Sequence, residues 1–213
     1  MENDIRKLLE EAASGLRSRN INTYIAENSA EAKEIAEKML TDGCTIAHGG
    51  SMSVAQVGLY DVFKSGKYRY LDRTAADKAE DVYRESFSAD FFFTSANALT
   101  KDGVLYNVDG TSNRVAAIAY GPKRVIAIVG FNKIVSDMSE AVERVKSVAA
   151  PLNAKRLGIS TYCASKGSCC AKTDEMCDGC VSDNRICCNY LATAFQRDKE
   201  RFHVILVAEK LGL

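Results

Sequence analysis

Seven of the eight cysteines fall in one stretch of 26 residues, "CASKGSCCAKTDEMCDGCVSDNRICC", from Cys163 to Cys188. Thiols at this density can hold a metal, pair as disulfides or stand as reactive nucleophiles, and the rest of the chain decides which is favoured. The 213 residues include 28 basic and 28 acidic ones and no apolar run of 18 residues. The charged, amphipathic opening "MENDIRKLLEEAASGLRSRN" lacks the apolar segment of a secretory leader, so the expected location is the cytoplasm, without membrane insertion. Disulfides are disfavoured in that compartment, which turns the cluster toward metal or redox chemistry. No histidine lies in the segment, so its ligands would all be sulfur, suiting iron–sulfur or zinc. A net charge of zero gives no field for nucleic acid, and that partner is not expected.

A second candidate is "TIAHGGSMSVAQVGL", a strand followed by two glycines, two hydroxyls and a helix. Unpaired N–H groups at a helix start, with glycines that let the backbone approach, make Gly49, Gly50 and Ser51 a possible cradle for a carboxylate or phosphate. A tight turn with a serine cap explains the same residues, and the loop is neither a Walker motif nor a dinucleotide fingerprint. His48 could donate to an anion or act as an acid or base, or serve structure alone; His203 reads as structural. The third candidate is the polar run "TSANALTKDGVLYNVDGTSNR". Arg114 could clasp an anion bidentately, Asn97, Asn107 and Asn113 could add amide contacts, and Asp102 or Asp109 could act as a base. Each aspartate precedes a glycine, the setting of an ordinary turn. No catalytic residue is singled out, and whether the chain is an enzyme stays open.

These candidates need positioning elements. Ile5, Leu8, Leu9, Ala12 and Leu16 recur at helical spacing. Asn28 three residues before Glu31 signals a helix start. "CTIA", "FFFTSA", "RVIAIVG" and "HVILVAE" read as buried strands, "YRYL" and "VLYNV" as shorter ones. Helices are predicted from Val54 to Phe63, Ala75 to Phe87, Arg114 to Tyr120, Ser136 or Asp137 to Val148 where Pro151 helps end it, and Arg185 to about Phe195. The alternation predicts an α/β fold: one domain over 1–213 with a mostly parallel sheet flanked by helices on both faces, and a C-terminal cysteine-rich segment at 163–188.

Several stretches, "HGGSMSVAQVGL", "ADFFFTSANALTKDGVLYNVDGTSNRVAAIAYGPKRVIAIVG", "NKIV", "APLNAKRL", "NRIC" and "RFHVILVAEKLGL", together resemble the LUD-domain family of lactate utilisation proteins. The resemblance implies a fold like that of ribose-phosphate isomerase, glucosamine-phosphate deaminase and CoA transferases. It also implies a part in cytoplasmic oxidation of L-lactate to pyruvate beside iron–sulfur partner proteins. In the isomerases of that superfamily a related "DG"–"N"–"GT" element lines the substrate pocket; here it corresponds to Asp102, Gly103, Asn107, Gly110 and Thr111. The glycine loop and polar run would then share one cleft for a small anionic metabolite, although fold analogy supplies no reaction. The family's cysteine pattern, roughly Cys-x5-Cys-x2-Cys-x6-Cys, implies ligands Cys163, Cys177, Cys180 and Cys187, with Cys169 as substitute because "CAKTDEMC" interrupts the match. A 4Fe–4S cluster is expected ahead of zinc, and metal-free thiols or disulfides remain an alternative. So does an isomerase- or transferase-like protein whose metal is structural. Cys44 reads as core, and a homodimer is the default assembly.

Overall fold

The computed structural model describes residues 2–171 and 175–213. Helix α1 (Glu2–Ser18) buries Leu9, Ala12, Ala13 and Leu16, one stripe at the predicted spacing. Strand β1 (Asn22–Ala26) leads to α2 (Ser29–Lys38), where the Asn28 Oδ1 accepts from Glu31 N at 3.0 Å and so caps the helix as expected. Strand β2 (Thr45–His48) follows, then α3 (Met52–Gln56) and α4 (Leu59–Phe63). The single helix predicted here is broken at Gly58, whose φ of 74° lies in the left-handed region that glycine tolerates. Next come β3 (Arg69–Tyr70), α5 (Ala79–Glu85), β4 (Phe91–Thr94), β5 (Ala98–Thr100) and β6 (Leu105–Asp109). The chain continues through α6 (Asn113–Ala119), β7 (Arg124–Gly130), β8 (Ile134–Val135) and α7 (Met138–Arg144). A π turn, Val145–Ala149, runs into α8 (Ala150–Arg156), followed by α9 (Tyr162–Lys166), β9 (Asn189–Thr193) and β10 (Phe202–Val207).

Six strands form a parallel sheet in the order β1-β10-β7-β4-β2-β3. Alternate residues point to opposite faces. Phe92, Val125, Ala127 and Val129 pack with α1 and α6 on one side, while Phe91, Phe93, Ile126 and Ile128 pack with α2, α3 and α4 on the other. That two-sided burial is why these strands are apolar throughout, and it makes the α/β reading correct. A second sheet, β8-β5-β6-β9, leans on α7 through Ala98, Tyr106, Ala141 and Val142. Cys44 is in the core as expected.

Two further predicted elements differ. The helix foreseen at Arg185–Phe195 is instead β9, because Asn189–Thr193 pair antiparallel with β6, and a ladder available in the tertiary structure overrides a weak local preference. Pro151 does not end the preceding helix: it sits in the first turn of α8, where a missing N–H costs nothing, and the π turn absorbs the change of register. No helix is long and apolar enough to cross a membrane among the described residues.

Candidate functional site: a cationic cleft and a thiol-lined cavity

A cleft of about 320 Å³ opens beyond the C-terminal ends of β2, β4 and β7, where open parallel sheets take their ligands. Gly50 and Ser51 form one wall, Ser95 and Asn97 the floor, Asp109 to Arg114 a second wall, and Asn153 and Arg156 of α8 the rim. The glycine loop and the polar run therefore do meet. Arg73, Arg114, Lys133 and Arg156 line the cleft, and Asp109 is the one acidic side chain among the described lining residues. That carboxylate is engaged: it accepts from the backbone N–H of Thr111 at 3.2 Å, Arg114 at 3.0 Å and Val115 at 3.2 Å, starting α6. The field in the cleft is left positive.

The two glycines have a different use from the one their loop suggests. A methyl group at Gly49 would lie 2.7 Å from Arg114 Cδ, and one at Gly50 would lie 2.8 Å from Arg73 Nη2. They make room for two arginine side chains to lie against the loop. Ser51 Oγ accepts from Val54 N at 3.3 Å and caps α3, but α3 has only five residues, so attraction for an anion comes from side chains more than from a helix end. Arg114 is itself held: its Nη1 donates to Asn107 Oδ1 at 2.6 Å, and its Nη2 to Asn97 Oδ1 at 3.1 Å and to Val108 O at 2.6 Å. Burial pulls its pKa below the ordinary arginine value, with Asp109 opposing. Asn107 thus acts from behind the cleft wall, and Asn113 lines the cleft itself.

His48 and Asp102 lie elsewhere. His48 sits between Tyr60 and Tyr70, its Nε2 2.8 Å from the Tyr70 hydroxyl and its Nδ1 2.8 Å from Gly49 O. Burial holds its pKa below the usual value, favouring a neutral ring. Asp102 is at the far end of β6 from Asp109, in a turn where Gly15 of α1 and Gly103 meet backbone to backbone. It pairs there with Thr100 and Arg19, which hold its carboxyl below the ordinary range. His203 does not line the cleft, and its Nε2 lies 2.9 Å from Glu200 O.

Lys133 gave no signal in the sequence beyond its place in "NKIV". It is 4% exposed on the cleft floor, its Nζ 3.0 Å from both Ser53 Oγ and Ser95 Oγ. Burial first, then the positive charges of Arg144 and Arg114, lower its pKa to about 7.

Behind the second wall is a smaller cavity of about 30 Å³, lined by Cys163, Cys169, Cys170, Cys180 and Cys187 with Tyr106, Met176 and Tyr190. Cys177 is exposed and does not line it. All eight cysteines are free thiols. Part of the interrupting "CAKTDEMC" stretch, residues 172–174, lies outside the described residues. Arg185 organises the segment, donating to the carbonyls of Cys187 at 2.8 Å, Cys180 at 3.2 Å and Cys177 at 2.8 Å. Burial, then neighbouring Cys163 and Cys169, push the Cys187 thiol up to about 12. Cys188, expected on a helix, is exposed just before β9. The donors fit a thiophilic metal in kind, all sulfur and drawn from helix α9 and the segment after it. They do not yet converge: among the described residues, no three His, Cys, Asp or Glu side chains are placed to hold an ion.

The fold and its two candidate sites define an α/β protein with a cleft lined by basic side chains at the strand ends and a thiol-lined cavity beside it. The family model of the LUD domain matches residues 9–207, so the chain belongs to that family and is related, at family level, to lactate utilisation. Among solved structures, a DUF162 family protein from Deinococcus radiodurans is 15% identical, with a TM-score of 0.53 over 98% of this chain and 99% of that one. eIF2B delta from Chaetomium thermophilum is 19% identical, with a TM-score of 0.34 over 49% of this chain and 46% of that one. The first likeness shows a shared fold. No curated protein matches the chain.

Proposed function

We propose that this protein is a LUD-domain subunit in the oxidation of L-lactate to pyruvate, that it takes a small anionic metabolite into the cationic cleft, and that its C-terminal thiols carry an iron–sulfur cluster. The observation that carries the reading is the charge of the cleft: among the described residues four basic side chains line it against one acidic one, Asp109, which accepts from three backbone N–H groups and lies 3.8 Å from Arg114 Nε. Arg73 and Arg156 at the cleft wall and rim attract the anion, Ser51 and Asn113 offer it hydrogen bonds, and Arg114 keeps the wall positive. Cys163, Cys169, Cys180 and Cys187 would hold the cluster, with Cys177 reaching it only after the loop rearranges. Such a cluster supplies one-electron transfer. Iron–sulfur partners would take the electrons on.

A second reading makes the metal a structural zinc and leaves function to the cleft alone. The small cavity favours it, since about 30 Å³ suits a single ion better than four irons. Protein purified without oxygen separates the two by metal content and absorbance: iron with a broad band near about 400 nm supports the cluster, stoichiometric zinc the alternative. Calorimetry with L-lactate, pyruvate and a sugar phosphate tests the cleft, and Arg73→Gln should weaken binding about tenfold, or about 1.4 kcal/mol. If none of the three binds, the anion reading fails.

A further inference from the structure

Lys133 is a buried amine, and among the described residues no acidic side chain pairs with it. Its Nζ meets two hydroxyls, Ser53 and Ser95, at 3.0 Å each. Ser95 Oγ gives its own proton to Ile128 O at 2.6 Å, so toward the lysine it acts as an acceptor. The charges that act on the amine, Arg144 and Arg114, are both positive. A side-chain carbon at Gly212 would lie 2.8 Å from Nζ, so the glycine there keeps a side chain off the amine. Yet Lys133 lines the same cleft as Arg73, Arg114 and Arg156. A lysine spent on holding structure is ordinarily paired with a carboxylate. One desolvated among cations is in the setting that makes an amine nucleophilic.

We propose that Lys133 is a nucleophile, whose amine condenses with the carbonyl carbon of a small aldehyde or ketone bearing a carboxylate or phosphate, giving an imine on the cleft floor. The proposal rests on the reading of the cleft as an anion site, because the arginines must hold the acidic end for the carbonyl to meet Nζ. The nitrogen bonds to the carbonyl carbon, the two amine hydrogens leave with the carbonyl oxygen as one water, and C=N replaces C=O. Nothing is oxidised or reduced, and hydrolysis restores both partners. Burial and the two arginines favour the unprotonated amine that the step requires. The other charged side chains that line the cleft are poorer candidates: Asp109 is engaged by backbone N–H groups, and the arginines stay charged.

The test is reductive trapping on the full-length protein. Pyruvate in one arm and a triose phosphate in the other are incubated with cyanoborohydride, which reduces an imine to a stable secondary amine, and the modified lysine is located by peptide mass mapping. Calorimetry with the same two compounds, without reductant, runs alongside. The expected result is one adduct per chain on the peptide carrying Lys133, lost in Lys133→Arg; the arm that labels tells carboxylate from phosphate. Binding without an adduct at Lys133 overturns the imine and leaves the anion cleft standing. Neither binding nor labelling overturns both. Adducts scattered over surface lysines and unchanged by Lys133→Arg also overturn the imine, and the mapping on unmodified sequence decides the matter even if the variant fails to fold.

Discussion

Replacing Lys133 by methionine should stabilise the protein at neutral pH and cease to do so in alkali. Methionine has a similar length and no charge to desolvate. An amine whose pKa falls from 10.5 to about 7 on folding is one whose ammonium form the fold disfavours by about 5 kcal/mol, at about 1.4 kcal/mol per pH unit. Removing it forfeits hydrogen bonds to Ser53 and Ser95, about 1 kcal/mol each. The net gain is roughly 3 kcal/mol, or roughly 6–12 °C in Tm for a chain of this size. The folded pKa lies below the unfolded one, and the group is a base, so the unfolded chain binds more protons between them. The penalty is therefore full below about pH 7, shrinks as pH rises, and is gone above 10.5. Urea unfolding of both proteins at pH 6.5, 8 and 9.5 should show the advantage of Lys133→Met falling toward zero or reversing. A difference that is the same at all three values, or a variant less stable at pH 6.5, would refute the reasoning.

Gly49→Ala should push Arg114 out of its bonds to Asn97 and Asn107, costing about 1–3 kcal/mol in urea unfolding and weakening anion binding together. Arg185→Ala should free the carbonyls of Cys177, Cys180 and Cys187 and raise the number of thiols that react quickly with an aromatic disulfide reagent, with a stability loss of about 2 kcal/mol. Alkylation of the metal-free protein at pH 8 should modify exposed Cys177 and Cys188 well before Cys187, whose thiol is held protonated up to about 12; mass mapping over time checks the order.

What the sequence discloses here follows from how local its causes are. Phe91–Thr94, Arg124–Gly130 and Phe202–Val207 are buried on both faces, so their composition alone marks them as central strands. Asn28 and Asp137 cap helices through bonds three residues long, to Glu31 and Glu140, and are legible for the same reason. Lys133 is not. Its hydroxyl partners come from 80 and 38 residues away, and a lysine in a short polar run reads as surface until the fold closes over it. Arg73, Arg156 and Arg185 are hidden likewise, since an exposed arginine and one packed on a glycine loop have the same local sequence. His48 fails in the other sense: its place before a glycine loop suggests chemistry, but Tyr60 and Tyr70 turn it away from the cleft.

The two sites share a wall. Ile186, between Arg185 and Cys187, lines both the cleft and the thiol cavity, and its Cα would lie 3.2 Å from a side-chain carbon at Gly110. On the other side the π turn supplies Ala149 to the cleft, and Val145 and Lys146, with the adjoining Ala150, to the cavity. Cys188 N donates to Asp109 O at 3.0 Å, and Asn189 bonds to Ser112, so the cysteine segment is fastened to the turn that starts α6 and aims Arg114. Drawing the thiols onto a metal would move Cys187 or its neighbours, and Cys187 adjoins Ile186, which packs on Gly110. If the metal loads as proposed, the affinity of the cleft for its anion should differ between the loaded and empty protein, and by reciprocity the anion should shift metal affinity by the same factor. Equal anion affinity in the two forms would mean that the wall is rigid and the sites independent.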